Sequence, residues 1–318
     1  MREKSNQHQA PSYERPHYPS LYFNPRGFEY PYPPIPSDYI FVRPEVRAYP
    51  GGLFFYNAST GLGATAQLDA AGNYQYVSSI TGFATGWTHI TGTASGSLLF
   101  YNASTGLGAT ARLDNAGNYQ YVSSITGFAT GWTHIVSANQ GSLLFYNAST
   151  GLGATARLDA AGNYQYVSSI TGFATGWTHI TGTASGSLLF YNASTGLGAT
   201  ARLDNAGNYQ YVSPITGFAT GWTHIVSANQ GSLLFYNAST GLGATARLDA
   251  AGNYQYVSSI TGFATGWTHI TGTTSGGVLF YNASTGLGAT ARLDNAGNYQ
   301  YVSSITGLAT GWTHIAGL

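Results

Sequence analysis

The sequence predicts an all-β fold, a six-bladed β-propeller, and three observations carry the prediction. The first is a strict period. Tyr56, Tyr101, Tyr146, Tyr191, Tyr236 and Tyr281 follow one another at 45-residue intervals, and so do the six tryptophans from Trp87 to Trp312. The second is that each period holds four short stretches of strand character separated by turn residues, with helical spacing absent. The third is composition. The chain has 43 glycines and 25 tyrosines, and only 7% of its residues are charged, which suits a β-rich protein full of tight turns.

One unit shows the elements in order. Ser97-Leu98-Leu99-Phe100-Tyr101 is apolar on both faces, which marks a buried strand, and Asn102-Ala103-Ser104-Thr105-Gly106 is a turn. Ala109-Thr110-Ala111-Arg112-Leu113 alternates small apolar with polar residues and reads as a second strand. Asp114-Asn115-Ala116-Gly117-Asn118 is a tight turn in which glycine supplies positive φ and the Asp and Asn side chains bond locally. Tyr119 to Ile125 is a third strand. Thr126-Gly127-Phe128-Ala129-Thr130-Gly131 is a loop, and Trp132-Thr133-His134-Ile135 is a fourth strand. In the fourth unit Pro214 stands where the others have Ser. Proline belongs on a sheet edge, so the Tyr-Gln-Tyr-Val strand is expected outermost and the Trp-Thr-His-Ile strand innermost. The repeats begin at Leu53-Phe54-Phe55-Tyr56 and end at Trp312-Thr313-His314-Ile315. The last strand is therefore expected to complete the first blade and close the ring. A 90-residue period lies over the shorter one, because Asp-Ala-Ala-Gly and Asp-Asn-Ala-Gly turns alternate.

Two regions are expected: a disordered or extended Pro/Tyr-rich tail over residues 1–48 and the propeller over residues 49–318. The first 50 residues hold ten of the eleven prolines and seven tyrosines, and proline removes donors and fixes φ. Formal net charge is zero, so no basic stripe meets phosphates and no nucleic-acid partner is expected. Cysteine is absent, which excludes disulfides and thiolate metal sites. The start lacks an apolar run and no stretch is long enough to span a bilayer. A signal peptide and membrane insertion are therefore not expected, and the expected setting is cytoplasmic or non-classically secreted.

The motif Thr130-Gly131-Trp132-Thr133-His134-Ile135, followed by Gly141-Ser142-Leu143-Leu144-Phe145-Tyr146, recurs in all six units with small changes. It resembles that of the tachylectin-type bladed propeller lectins. The resemblance implies one small sugar site per blade, with glycans or small sugars as partners. The expected function is a multivalent carbohydrate-binding module. The alternative is a structural or designed scaffold, or a protein-interaction platform without a small-molecule ligand.

The candidate ligand residues lie at the end of the ring whose loops vary least between copies. Asn57, Asn102, Asn147, Asn192, Asn237 and Asn282 are expected to bond hydroxyls. Thr85, Thr130, Thr175, Thr220, Thr265 and Thr310 are expected to do the same. Phe83, Phe128, Phe173, Phe218 and Phe263 offer apolar platforms; their sixth counterpart is Leu308. Trp87, Trp132, Trp177, Trp222, Trp267 and Trp312 suit either sugar stacking or core packing. The six Trp-Thr-His histidines are expected near the axis, where hydrogen bonds between blades are the commoner role and metal or anion binding the rarer one. No metal or other cofactor is expected. Each unit holds one Asp, one His and at most one Arg besides its tyrosines, and nothing marks a strained nucleophile. An enzyme is therefore not expected.

Overall fold

A computed structural model describes residues 49–318. The expected tail, with its Tyr39–Arg43 strand candidate, lies outside the described residues. Twenty-four strands, numbered in chain order, form six four-stranded antiparallel sheets. The second sheet shows the plan: β4 (His89–Gly92), β5 (Ser97–Asn102), β6 (Leu107–Leu113) and β7 (Tyr119–Ile125) pair in sequence order. The first sheet contains β1 (Gly52–Asn57), β2 (Leu62–Leu68), β3 (Tyr74–Ile80) and, from the other end of the chain, β24 (His314–Gly317). Leu53 faces Gly317 and Tyr56 faces His314 in that pairing, so the ring closes as three strands plus one.

Burial follows the residue types. The Leu-Leu-Phe-Tyr strands are buried throughout because they lie between two neighbours. Alanine and threonine on the next strand let the blades approach closely, with Ala111 and Thr110 fully buried. The tyrosine-rich third strand is half-exposed and forms the outer edge, as Pro214 in β15 (Tyr209–Ile215) required. The first and second residues of the expected inner strand lie outside it. The ladder begins at histidine rather than tryptophan, because Trp132 and Thr133 are still turning into the blade.

The core is divided among the gaps between blades. Leu144 and Tyr146 of the third blade pack in one cluster with Leu188 and Phe190 of the fourth. Leu189 and Tyr191 cluster in turn with Leu233 and Phe235 of the fifth. No blade has a core of its own, so each depends on its neighbours. The inner strands close to within backbone contact near the axis. A Cβ added to Gly182 would lie 2.0 Å from the Ser137 carbonyl oxygen, so only glycine fits there.

Tyr49 accounts for an irregularity in the repeat. In most gaps the glycine of an Asp turn lies on the aliphatic stem of an arginine from the preceding blade, as Gly207 does on Arg157. The first unit has Gln67 instead, and Gly117 there lies against the Tyr49 ring. Tyr49 Oη donates to Gln67 Oε1 at 3.0 Å. No helix among the described residues is long and apolar enough to cross a membrane.

Candidate functional site

The two ends of the ring differ in chemistry. His89 pairs with Tyr101, and Tyr101 with Gly108, in one row near the first end. Arg112 pairs with Ser97 four residues further along, beside the Asp114 turn, at the second end. All six Asp and five Arg of residues 49–318 repeat at that second position. The first end carries loops of Asn, Ala, Ser, Thr, Gly and Phe around a ring of six histidines.

Each histidine bonds at both ring nitrogens. Nε2 of His89 lies 3.1 Å from the Thr133 carbonyl oxygen of the next blade, and Nδ1 lies 2.9 Å from the Thr88 hydroxyl. The same pair of bonds recurs at His134, His179, His224 and His269. His314 reaches Thr88 O at 3.0 Å and closes the circuit. A carbonyl oxygen only accepts, so Nε2 carries the proton. In the neutral imidazole Nδ1 is then the acceptor and the threonine hydroxyl the donor. The Ala103 amide donates to the same Thr88 oxygen at 2.9 Å. Thr88 is exposed and His89 half-buried. Burial holds the pKa of His89, His134, His224, His269 and His314 below the ordinary histidine value, opposed by the hydrogen bond to the next blade. The expected alternative of a metal ring does not fit this geometry, because each imidazole would have to give up a bond to present a lone pair to an ion. Among the described residues no cluster of His, Asp and Glu has the spacing to hold a metal.

The residues expected to bind sugar divide into two groups. Phe and Trp line clefts between blades. The cleft at Phe83 is walled by Ile80, Trp87, Phe100, Tyr119 and Tyr121. Those at Phe83, Phe173, Phe218 and Phe263 measure about 290–310 Å³. Burial, followed by the neighbouring Tyr121, pushes the Tyr119 phenol up to about 12, so it stays neutral. Phe83 meets Tyr119 edge to face at 4.8 Å, which packs the cleft wall.

The asparagines are committed to the loops. Asn102 Nδ2 donates to Gly86 O at 2.8 Å, and its Oδ1 accepts from the Ser104 and Thr105 amides. Its copies repeat the pattern, Asn57 reaching Gly311 across the closure. Thr85 lies over the turn glycine Gly61, and Thr130 over Gly106. The sequence reading passed over the Thr–His pairs; the invariant Thr beside each His was the signal for them. At the second end the axis narrows to a cavity of about 60 Å³ lined by Thr93, Asn139, Asn229 and their neighbours.

No protein-family model matches this sequence, and no curated protein matches it. Solved structures do match in fold. A Lactobacillus plantarum protein aligns over 84% of this chain and 98% of its own, with TM-score 0.53 and 11% identity. The periplasmic gluconolactonase of Pseudomonas aeruginosa aligns over 81% of this chain and 84% of its own, with TM-score 0.51 and 13% identity. A putative 6-phosphogluconolactonase from Bacteroides uniformis aligns over 82% and 84%, with TM-score 0.52 and 14% identity. At these identities the likeness shows the fold. It also corrects two expectations. The gluconolactonase and the putative 6-phosphogluconolactonase are named as lactonases, not lectins, so neither the lectin reading nor its scaffold alternative is retained. The expectation that the chain is not an enzyme is withdrawn on the same finding. The physical reason for the error is that the motif behind the lectin resemblance, Gly-Trp before an inner strand, serves the packing of the blade.

Proposed function

We propose that this propeller opens small sugar-like lactones, with the Thr–His pairs at the first end of the axis as its hydrolytic groups. The observation that carries the reading is the chain Thr88 hydroxyl, His89 Nδ1, His89 Nε2–H, Thr133 carbonyl. It supplies a nucleophile, a base within hydrogen-bond reach and a third group that fixes the base's tautomer. The fold neighbours named gluconolactonase and 6-phosphogluconolactonase supply the substrate class.

In this reading Thr88 Oγ1 adds to the lactone acyl carbon while its proton passes to His89 Nδ1. The ring C–O bond breaks, and the imidazolium returns that proton to the departing ring oxygen. Water then adds to the threonine ester by the same route and releases the hydroxy acid. The Ala103 amide, already aimed at Thr88 Oγ1, offsets part of the charge that develops on that oxygen. A lowered histidine pKa keeps the base unprotonated at neutral pH.

The test is base consumption at constant pH with glucono-δ-lactone, compared with the spontaneous rate. Thr88→Val, with the same change at Thr133, Thr178, Thr223, Thr268 and Thr313, should lower the protein-dependent rate by about 10²–10⁴. The corresponding serine protein should keep it. Mass spectrometry of the quenched native protein should show one added lactone mass on a threonine. A native protein that adds nothing to the spontaneous rate would overturn the proposal.

A further inference from the structure

We propose that the histidine mouth is also a proton-gated oxyanion site, closed to phosphates and carboxylates while the imidazoles are neutral and open to one such anion once they are charged. The site shares residues with the proposed hydrolytic groups but needs no turnover. The inference deepens that reading by limiting the substrate at neutral pH to uncharged lactones.

Three observations carry it. First, the six imidazoles form one closed ring, each bonded to the next blade, with His314 returning to Thr88. Symmetry-related side chains in a closed ring direct their fields onto one point of the axis. Second, among the described residues nothing of either sign competes there. The five Arg and six Asp of the ring lie at the opposite end, so the imidazoles decide the charge of the mouth. The groups packed around His89 are its neighbouring imidazoles, the Thr88 hydroxyl, the Thr133 carbonyl and the Tyr101 ring at 5.7 Å.

Third, the ring can take up protons without losing a hydrogen bond. Thr88 Oγ1 lies 2.9 Å from His89 Nδ1 and 3.1 Å from the Tyr101 carbonyl oxygen. In the neutral state the hydroxyl donates to Nδ1. In the charged state Nδ1–H donates to Oγ1, and the hydroxyl proton turns to Tyr101 O. Only desolvation and mutual repulsion then oppose charging. Burial is the larger influence on His134, and His179 and His89 on either side add to it. Repulsion between neighbours makes alternate occupancy cheapest, so protons load first on one set of three imidazoles. An oxyanion on the axis offsets the repulsion of that set, and by linkage its binding must raise the pKa values it responds to.

The experiment is an NMR titration of the histidine Cε1–H signals of the native protein, with chloride as the background anion and with or without inorganic phosphate at equal ionic strength. N-acetylhistidine amide added to the same samples serves as the internal reference. Phosphate should raise the ring midpoints by about half a pH unit or more and leave the reference in place. Ring midpoints that move no more than that of the added reference would overturn the site. A phosphate-linked shift without lactone opening would remove the hydrolase reading and leave the anion site standing; lactone opening without the shift would do the reverse.

Discussion

At the scale of single residues, the ring is held by polar side chains placed where backbone groups would otherwise go unmatched. Tyr101 is fully buried, yet its hydroxyl donates to Ala129 O at 2.8 Å and accepts from the Trp132 amide at 3.3 Å. Tyr101→Phe leaves both without that partner and should cost about 1–2 kcal/mol, read as a shift in denaturant midpoint at unchanged slope. The histidines set the response to acid. Burial lowers the folded pKa of His89, His134, His224, His269 and His314, so at mildly acidic pH the unfolded chain binds more protons than the folded one. Their contribution is full above about pH 6.5 and declines as pH falls through that value toward the folded pKa. Thermal melts in chloride buffers should therefore change little from pH 7.5 to about pH 6.5 and fall from there to pH 5. A melt independent of pH over that range would mean that the imidazoles are not held neutral by the fold. Asp69, whose pKa is lowered chiefly by the Asn73 amide and side chain, adds a loss only at lower pH, near the carboxylate range.

At the scale of elements, the closure is the point where the sequence could be read most sharply. Its frame left the first blade one strand short and the chain one strand over, and β24 against β1 resolves both. Truncation after Gly311 removes that strand. It also removes the Thr313 hydroxyl that accepts from the Ala58 amide and the His314 bond to Thr88, and it bares the edge of β1. The truncated chain should aggregate or recruit a strand from another copy; a monomeric gel-filtration profile with an unchanged melt would contradict the closure. Strand order and the outer edge were legible because Pro214 and the apolar Leu-Leu-Phe-Tyr runs are local signals. The histidine bond to the next blade was expected and is present, whereas the Asn side chains and the threonine partners of the histidines were not legible, because their roles depend on loops 16 and 15 residues away. No periodicity within one unit reports on contacts with the next. Tyr49 was hidden for the same reason: it takes the place of an arginine stem from another copy of the repeat.

At the scale of the whole molecule, the symmetry is threefold as much as sixfold. Thr91, Thr181 and Thr271 each donate to an Ile carbonyl of the next blade, at 2.8, 2.8 and 3.1 Å. Ser137 and Ser227 donate back to Gly92 and Gly182, each at 2.6 Å. These bonds alternate with the 90-residue period, so a pair of blades is the smallest unit that carries every contact of the ring. Residues 131–220 contain one such pair, with Trp132 and Thr133 at the start to serve the neighbour. Alone, the pair would expose one side of each flanking cluster, including Leu143 and Phe145 on one face and Leu189 and Tyr191 on the other. Burying such a side chain contributes about 1.5–3 kcal/mol, so a lone pair of blades has a strong drive to associate. Rotation by a third of a turn presents each exposed face with its natural partner, and three copies close the ring with no edge left over. Association costs about 4–15 kcal/mol in lost freedom, so the assembly should depend on concentration. Native mass spectrometry and light scattering of the 131–220 fragment should give three times its mass at micromolar concentration, with strand content like that of the intact ring. A folded monomer would mean that a pair of blades stabilises itself, which would refute the placement of the core between blades.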